Sequence, residues 1–563
     1  MAISTYVGSF NIDTSKTIGQ TQSITGVGFT PKVVIFWWSG TTATSDGARG
    51  SDHQVGIGTM VSGTQRWASA SFSVDNKNME PTTGRTGTPG WCIVEFNKIL
   101  ETPTLIGEAD YYSFDSDGFT IVMDAQFSTA LRVSYLAIGG DEITNVAAGY
   151  GAAPVDGSED YTVGFRPDFV LVAGQGQTTG VYNAIYNNIG MASSSSLGNQ
   201  GTVAYYANAG QLSVTDRFRY GYGGEIWADP FTPGVNELRC RAYMSYVSST
   251  YFRLTATEYD YSSNRLYYLA IKGGSWSVGS LTTSTSTSAT IEVDTGFIPK
   301  AIFMLSANMT VSTQDTVSDH YPITIGAATS TTNRATQAAW DEDALSTSEV
   351  STANYDTAVY ASVKNDAIDG LMDIDSIDAS GFTCIMDDGD SVASWVLYAA
   401  LGYPPASSSK HAYMNGGDPY QYANPSTDEE ISGWTDENDG TTDIYLSISD
   451  SSDETYIKSK GEATAHTYIT KLSALSAIPQ TYKDHYVNIS VQKDYASGTE
   501  IDLTVTLYCF DDIVATWTYE NVGNEWSDKS ELLTWAQATA IANHADGNGY
   551  ANLYLKFVTQ EAS

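Results

Sequence analysis

The side chains able to do acid–base, nucleophilic or metal chemistry are scattered along this 563-residue chain rather than gathered. The six histidines, His53, His320, His411, His466, His485 and His544, show no metal-ligand spacing. His53 and His320 each shortly precede a similar phrase, Gly56-Ile57-Gly58 and Thr324-Ile325-Gly326, and are read as candidates for equivalent positions. There is no Gly-x-Ser-x-Gly elbow, P-loop or His-Glu-x-x-His. Glycine-rich pieces such as Gly221-Tyr222-Gly223-Gly224 precede no helix signal and read as turns. Carboxylates, 65 in all, are so frequent that some pair always imitates a glycosidase dyad. Asp110, Asp115, Asp117, Asp387, Asp388 and Asp390 are expected in turns, where aspartate bonds its own backbone. The reading is of no catalytic, cofactor-binding or metal-ligating residue, and of a protein that is not an enzyme.

Two binding chemistries stay open. Asp436-Glu437-Asn438-Asp439-Gly440-Thr441-Thr442-Asp443 and Asp450-Ser451-Ser452-Asp453-Glu454 offer the hard oxygens that calcium takes, without the spacing of an EF-hand. The aromatic clusters Tyr205-Tyr206, Tyr259-Asp260-Tyr261 and Tyr420-Gln421-Tyr422 suit either sugar stacking or a protein interface, and the interface reading is preferred.

What must position these residues is a triplication. Gly-Phe-x-Pro-Lys/Asp ahead of an apolar run occurs at Gly28-Phe29-Thr30-Pro31-Lys32, Gly164-Phe165-Arg166-Pro167-Asp168 and Gly296-Phe297-Ile298-Pro299-Lys300, 136 and 132 residues apart. Each copy then has an x-Ile-Gly phrase ending at Gly58, Gly190 or Gly326. Each closes on an aromatic strand ending in glycine: Tyr135-Leu136-Ala137-Ile138-Gly139, Tyr268-Leu269-Ala270-Ile271-Lys272-Gly273 and Tyr398-Ala399-Ala400-Leu401-Gly402. That spacing is a domain rather than a solenoid turn.

Composition agrees with β structure. The chain holds 37 Tyr, 12 Trp and 50 Gly, and short apolar runs alternate with Ser/Thr/Gly stretches. A net charge of −38 with only 27 Lys plus Arg leaves no basic stripe, which argues against nucleic acid as a ligand. Cys92, Cys240, Cys384 and Cys509 lie far apart in apolar stretches, the first three one per repeat, and read as buried free thiols made in a reducing compartment. Met1 to Tyr6 carries no basic or apolar leader, and no window reaches 18 apolar residues. The expectation is synthesis in the cytoplasm without membrane insertion.

Along the chain, Val33-Val34-Ile35-Phe36-Trp37-Trp38 is an apolar run with the pattern of a strand buried on both faces. Ser45 to Gly50 reads as a glycine-punctuated loop, and Thr282 to Ser288 as a polar edge strand. Tyr251-Phe252-Arg253-Leu254 stands where the other copies have Gly-Phe-Thr, so the second copy has lost a turn glycine. After Gly402, Pro404-Pro405-Ala406-Ser407 marks a boundary. Beyond it strands are expected at Tyr445 to Ile448, Tyr486 to Gln492, Leu503 to Cys509 and Leu553 to Val558, with one short helix capped by Thr534.

At these phrases the sequence resembles virion proteins of tailed bacteriophages. The Gly-Phe-x-Pro-Lys strand start, Asp-Gly-Phe-Thr and the Tyr-Leu-Ala-Ile-Gly ending look like repeat domains of phage surface and tail-associated proteins. The C-terminal stretch with Ile431-Ser432-Gly433-Trp434 and Val505-Thr506-Leu507 is similar to a β-sandwich common in phage structural proteins. The resemblance spans nearly the whole chain and carries no catalytic residues over. The expectation is an all-β chain of three tandem homologous β-sandwich (jelly-roll-like) domains, 1–140, 141–274 and 275–402, plus a C-terminal β-sandwich, 403–563, with one short helix. The function expected is that of a non-enzymatic head decoration or fibre protein on the virion surface. Its expected partners are copies of itself (a homo-oligomer, with a trimer as one form), capsid or tail proteins, and in the alternative reading of a tail receptor-binding protein a host surface glycan. A secreted carbohydrate-binding protein is the third reading.

Overall fold

A run of six consecutive apolar residues in a strand needs a core on each side, because successive side chains point to opposite faces. Val33 to Trp38 has both: Val33, Ile35 and Trp37 enter one core while Val34, Phe36 and Trp38 enter another. The second core belongs to one repeat, and the first is shared by all three.

The computed structural model describes residues 3–403 apart from loop segments, chiefly 78–82, 99–102, 176–180, 195–198, 208–216, 230–237, 259–263 and 311–316, and beyond 403 chiefly 466–472, 486–491, most of 501–544 and 553–561. Repeat one contributes β1 (Ser4–Asn11), β2 (Thr21–Thr25), β3 (Pro31–Trp38), β4 (Ala48–Gly50), β5 (His53–Ser62), β6 (Gln65–Ser73), β7 (Thr83–Thr88), β8 (Ile93–Asn97), β9 (Thr104–Asp115), β10 (Gly118–Ala125) and β11 (Arg132–Gly139). Repeat two follows with β12 (Asn145–Ala152), β13 (Ser158–Thr162), β14 (Phe169–Gly174), β15 (Val181–Asn183), β16 (Ile185–Ser193), β17 (Gln200–Ala207), β18 (Arg217–Tyr222), β19 (Trp227–Asp229), β20 (Cys240–Val247), β21 (Tyr251–Glu258) and β22 (Arg265–Lys272). Repeat three adds β23 (Ser275–Thr282), β24 (Thr290–Asp294), β25 (Pro299–Met309), β26 (Ser318–Asp319), β27 (Tyr321–Ala328), β28 (Arg334–Asp341), β29 (Val350–Tyr355), β30 (Tyr360–Lys364), β31 (Ala367–Ile377), β32 (Gly381–Asp388) and β33 (Trp395–Gly402).

Each repeat builds two antiparallel sheets that face each other. The small one has four strands, β2-β10-β9-β8 in repeat one, and the same order recurs in the others. The large one has six strands of its own, β1-β11-β3-β5-β6-β7, and a seventh from elsewhere. In repeat one the seventh is β15 of repeat two; in repeat two it is β26 of repeat three; in repeat three it is β4 of repeat one. The exchange is cyclic. The stretch Ser45 to Gly50, expected as a loop, therefore ends in a strand whose partner lies in another repeat.

The recurring phrases have packing roles. Gly58, Gly190 and Gly326 lie where the backbone entering the small sheet's last strand crosses the large sheet: a Cβ on them would collide with the carbonyl oxygen of Cys92, Ile226 or Val359. The closing tyrosines Tyr135, Tyr268 and Tyr398 stand directly across from Gly8, Gly149 and Gly279, and their rings cover those glycines. Each ring also meets a phenylalanine of the small sheet edge-on, Phe119, Phe252 or Phe382, at centroid distances of 5.1, 5.6 and 5.6 Å. The Gly-Phe-x-Pro phrases tie each repeat to the segment leading out of it. Lys32 Nζ donates to Ile143 O (2.7 Å), Asp168 Oδ2 accepts from Gly273 N (2.7 Å), and Lys300 lies over the Tyr403 ring.

Several local expectations are corrected. Thr283 to Ser288 is a turn region rather than an edge strand, and β23 precedes it. The run has no apolar residue to face a core; Ser284 Oγ turns back locally to accept from Ser286 N (3.1 Å), while Thr283 Oγ1 donates to Asp390 and Thr287 Oγ1 accepts from Gly389 N (3.3 Å). Asp110 and Asp115 lie in β9, and Asp387 and Asp388 in β32, not in turns. Where repeat two lacks its turn glycine, Ser248 Oγ takes over by accepting from Thr250 N (3.1 Å) and Tyr251 N (3.0 Å).

The chain divides into two compact units, Met1–Pro405 and Ala406–Ser563. Within the second unit, strands His466–Leu472, Leu553–Glu561, Ile501–Cys509 and Asp512–Tyr519 lie side by side in that order. Helix α1 (Trp535–Ala542) is capped by Thr534, as expected, with Thr534 Oγ1 accepting from Gln537 N and Gln537 Oε1 from Thr534 N (2.7 Å). Its Ile541 and Ala542 enter a core with Val505, Leu507 and Leu553. The expected strand at Tyr445 to Ile448 lies outside the described residues. Among the described residues no helix is long and apolar enough to cross a membrane.

Gly190→Ala should destabilise the protein by about 3 kcal/mol, because backbone rather than a movable side chain opposes the new methyl. Gly223→Ala, whose Cβ meets nothing nearer than Trp395 at 3.9 Å, should change stability by less than about 1 kcal/mol in the same denaturant titration.

Candidate functional site: the axial core and one outer sheet

The odd-numbered positions of β5, and the matching positions of β16 and β27, point away from their own small sheets into the shared core. Three aromatic pairs bridge the three boundaries there: Trp67 with Tyr267 (5.9 Å), Tyr205 with Tyr321 (4.9 Å) and Trp37 with Phe303 (5.8 Å). Tyr205 and Tyr206, considered above as a sugar platform, are buried in β17. The clusters at 259–261 and 420–422 lie outside the described residues.

One end of this core is polar. Asp341 is fully buried and accepts from Ser73 Oγ of repeat one (2.7 Å) and Arg217 Nε of repeat two (2.7 Å), so all three repeats meet at one carboxylate. Asn187 Nδ2 donates to Ser71 Oγ (2.7 Å) and to Tyr321 Oη (3.1 Å), again joining three repeats. His53, also 0% exposed, stacks on Tyr321 with ring centroids 5.2 Å apart and planes 7° from parallel. Among the described residues neither of its ring nitrogens has a hydrogen-bond partner. Burial, reinforced by Lys98, holds its pKa down at about 3, with Asp52 opposing and Arg217 adding to the effect. The expected equivalence of His53 with His320 is off by one residue. Counting back five from Gly58, Gly190 and Gly326 aligns His53 with Ile185 and Tyr321, while His320 sits just before β27 at φ 71°.

Ionic ties between the two sheets follow a pattern that repeat two breaks. Arg66 pairs with Asp110 in repeat one and Arg334 with Asp373 in repeat three; in repeat two Gln200 instead accepts from Met244 N (2.7 Å). Asp390, buried against Thr283 and Tyr360, has its pKa raised to about 6 by burial. The four cysteines are buried and none is joined in a disulfide, and burial raises the pKa of Cys92, Cys384 and Cys509. They do not occupy matching strands, since Cys92 precedes β8 while Cys240 opens β20 and Cys384 lies in β32.

The small sheets differ most where they face outward. In repeat two, Arg253 lies between Asp160 and Tyr246 across the strands; Thr120 lies between Ser23 and Ser113 in repeat one, and Thr383 between Glu292 and Ser376 in repeat three. Arg253 binds Asp160 through two hydrogen bonds (2.6 and 2.8 Å), which hold the Asp160 pKa low. Its guanidinium lies 6.0 and 5.7 Å from the Tyr246 and Tyr251 rings, and Tyr246 is 49% exposed. The sequence marked the change at Tyr251 and Arg253 but not its neighbours, because Asp160 and Tyr246 join them only through strand pairing.

No group of His, Cys, Asp and Glu able to hold a metal ion occurs among the described residues. The acidic loops weighed for calcium lie outside them, apart from Asp436 at the end of a short strand. His411 and His485 also lie outside, while His544 approaches Asp512 (3.3 Å) and stacks on Phe510. No protein-family model and no curated protein matches the chain.

Two results are expected of the axial core. The unfolded chain binds a proton at His53 near pH 6.5 whereas the folded one does so only near pH 3, so stability falls as the pH drops through that window. His53→Phe keeps the stack on Tyr321, and urea titrations should show the wild type losing about 3 kcal/mol relative to it between pH 7 and pH 4.5. Asp341→Leu should cost about 3–5 kcal/mol by stranding the Arg217 charge, and adding Arg217→Met should recover a large part of that loss.

Proposed function

We propose that this chain is a non-enzymatic structural protein of a tailed-phage particle, made in the host cytoplasm and carried on the virion surface as a head decoration or fibre protein. In this reading the three repeats are homologous copies of one jelly-roll-like unit, and copies of the chain dock on capsid or tail proteins. The observation that carries the proposal is where the recurring residues go. The Gly-Phe-x-Pro phrase, the Ile-Gly phrase and the closing tyrosine hold strands and joints together, and the buried polar groups tie repeat to repeat. Residues kept in three copies for packing suit a protein whose work is to be a durable body. The sequence resemblance supplies the particle on which it stands.

A second reading, a tail receptor-binding protein that holds a host surface glycan, draws on the outer sheet of repeat two. Half-exposed Tyr246 and its neighbour Tyr251 offer ring faces, while Arg253 and Asp160 offer groups for hydroxyls.

Immunogold or cryo-electron microscopy of intact particles should place the protein in an array over the head. Confinement to the tail tip would transfer the proposal to receptor binding, and absence from particles would end both readings. A glycan array separates the two further: the decoration reading expects no specific signal, whereas the receptor reading expects binding that Tyr251→Ala and Arg253→Ala reduce at least tenfold.

A further inference from the structure

We propose that the body spanning residues 3–403 is a fused trimer: its three repeats occupy the places that three copies of one repeat would take, and the surface of each repeat is built to receive another repeat of this same chain. The inference rests on geometry and does not depend on the virion reading.

The first observation is the direction of the exchange. β15 pairs with β7, β26 with β18 and β4 with β29, so each repeat gives one strand to a neighbour and receives one from the other. These contacts run head to tail and close after three steps, which is the geometry of a cyclic trimer rather than of domains strung in a row. The exchanged strands come from matching places, each lying between the third and fifth strands of its repeat.

The second is that each boundary is closed by contacts deep in the structure. The boundary between repeats one and two has Trp67 Nε1 donating to Tyr268 O (2.8 Å), and Arg85 donating to Ala184 O (2.7 Å) with its guanidinium 4.2 Å from the Tyr186 ring. The boundary between two and three has the buried Arg217–Asp341 pair and Phe169 stacked on Trp276 at 4.1 Å. The boundary between three and one has Arg132 paired with Asp356, and Gln337 accepting from Ser39 N (2.8 Å) while donating to Arg132 O (2.9 Å).

The third is the boundary between repeats three and one. Repeats one and two are linked through residues 140–144 and repeats two and three through 273–274. The boundary between three and one has no such link, yet residues beside β1 lie against repeat three: Ile3 N donates to Tyr403 Oη (2.7 Å) and Thr5 Oγ1 donates to Lys300 O. One boundary of the ring is thus already held without a covalent connection, and the other two use the same kinds of contact. Covalent continuity is therefore not what holds the repeats together.

The test cuts the two remaining links in the full-length protein. Protease sites are inserted between Gly140 and Asp141 and between Gly273 and Gly274, and the uncut protein is checked against wild type by circular dichroism and melting. After cleavage, native mass spectrometry should find the three pieces in one complex at 1:1:1, still associated after hundredfold dilution. Pieces 1–140, 141–273 and 274–563 that separate as individually folded species would overturn the proposal. Should the insertions themselves disturb folding, hydrogen exchange on the unmodified chain decides. Amides of β4 and β15 should be protected alongside the host sheets they join, whereas exchange of those strands at loop rates would contradict the inference.

Discussion

The constraint on which the first 405 residues depend is that each large sheet is apolar on both faces. One face is covered by the four-stranded sheet of the same repeat; the other has only the neighbouring repeats to cover it. A repeat standing alone would leave Trp37, Trp67, Val55 and Ile57, or their counterparts, against water, a contiguous apolar face of the kind that soluble monomers rarely expose. The cyclic exchange of β4, β15 and β26 follows from the same arrangement, because large sheets brought together around a common core place the edge of one beside the loop of the next. It also covers the edge that each large sheet would otherwise expose at its sixth strand.

Within that apolar core the polar end around Asp341 has a different effect. A buried ion pair adds little net stability over well-packed apolar residues, but it penalises every arrangement that separates its members. Ser73, Arg217 and Asp341 come from three repeats, and so do Ser71, Asn187 and Tyr321. Three sheets of similar shape could assemble in the wrong order or register; these hydrogen bonds are satisfied in one arrangement only. The differences between repeats at matching positions, His53 against Ile185 and Tyr321, give each boundary its own identity.

Much of the local structure was legible in the sequence. Gly-Phe-x-Pro, Ile-Gly and the closing tyrosine marked the recurrence and its strands, though not the close backbone approach and cross-strand cover that the last two supply, and Thr534 marked the helix start. The continuous apolar run at Val33 to Trp38 even announced two cores, since alternation is lost when both faces are buried. The partner on the second face was not legible, because a strand's sequence states that a face is apolar without stating what covers it. The exchanged strands escaped for a related reason: Ala48-Arg49-Gly50 has no strand pattern of its own and is extended only because β29 offers it an edge. The cluster of Tyr246, Tyr251, Arg253 and Asp160 was half legible, as a departure of one strand whose neighbours come from register. The serine and threonine run misled because alternation of polar residues resembles a strand pattern without supplying the apolar side that makes one.

Taken together, these features describe a body whose three repeats gain their stability jointly, the property that the proposed role on a particle surface calls for. The most direct test of that claim is differential scanning calorimetry of the full-length chain, with the transition of the first 405 residues assigned by hydrogen-exchange mass spectrometry across the melt. The account predicts that all three repeats lose protection in one transition whose van't Hoff enthalpy equals its calorimetric enthalpy. Three transitions, each confined to one repeat and each with the enthalpy of a domain of about 135 residues, would contradict it.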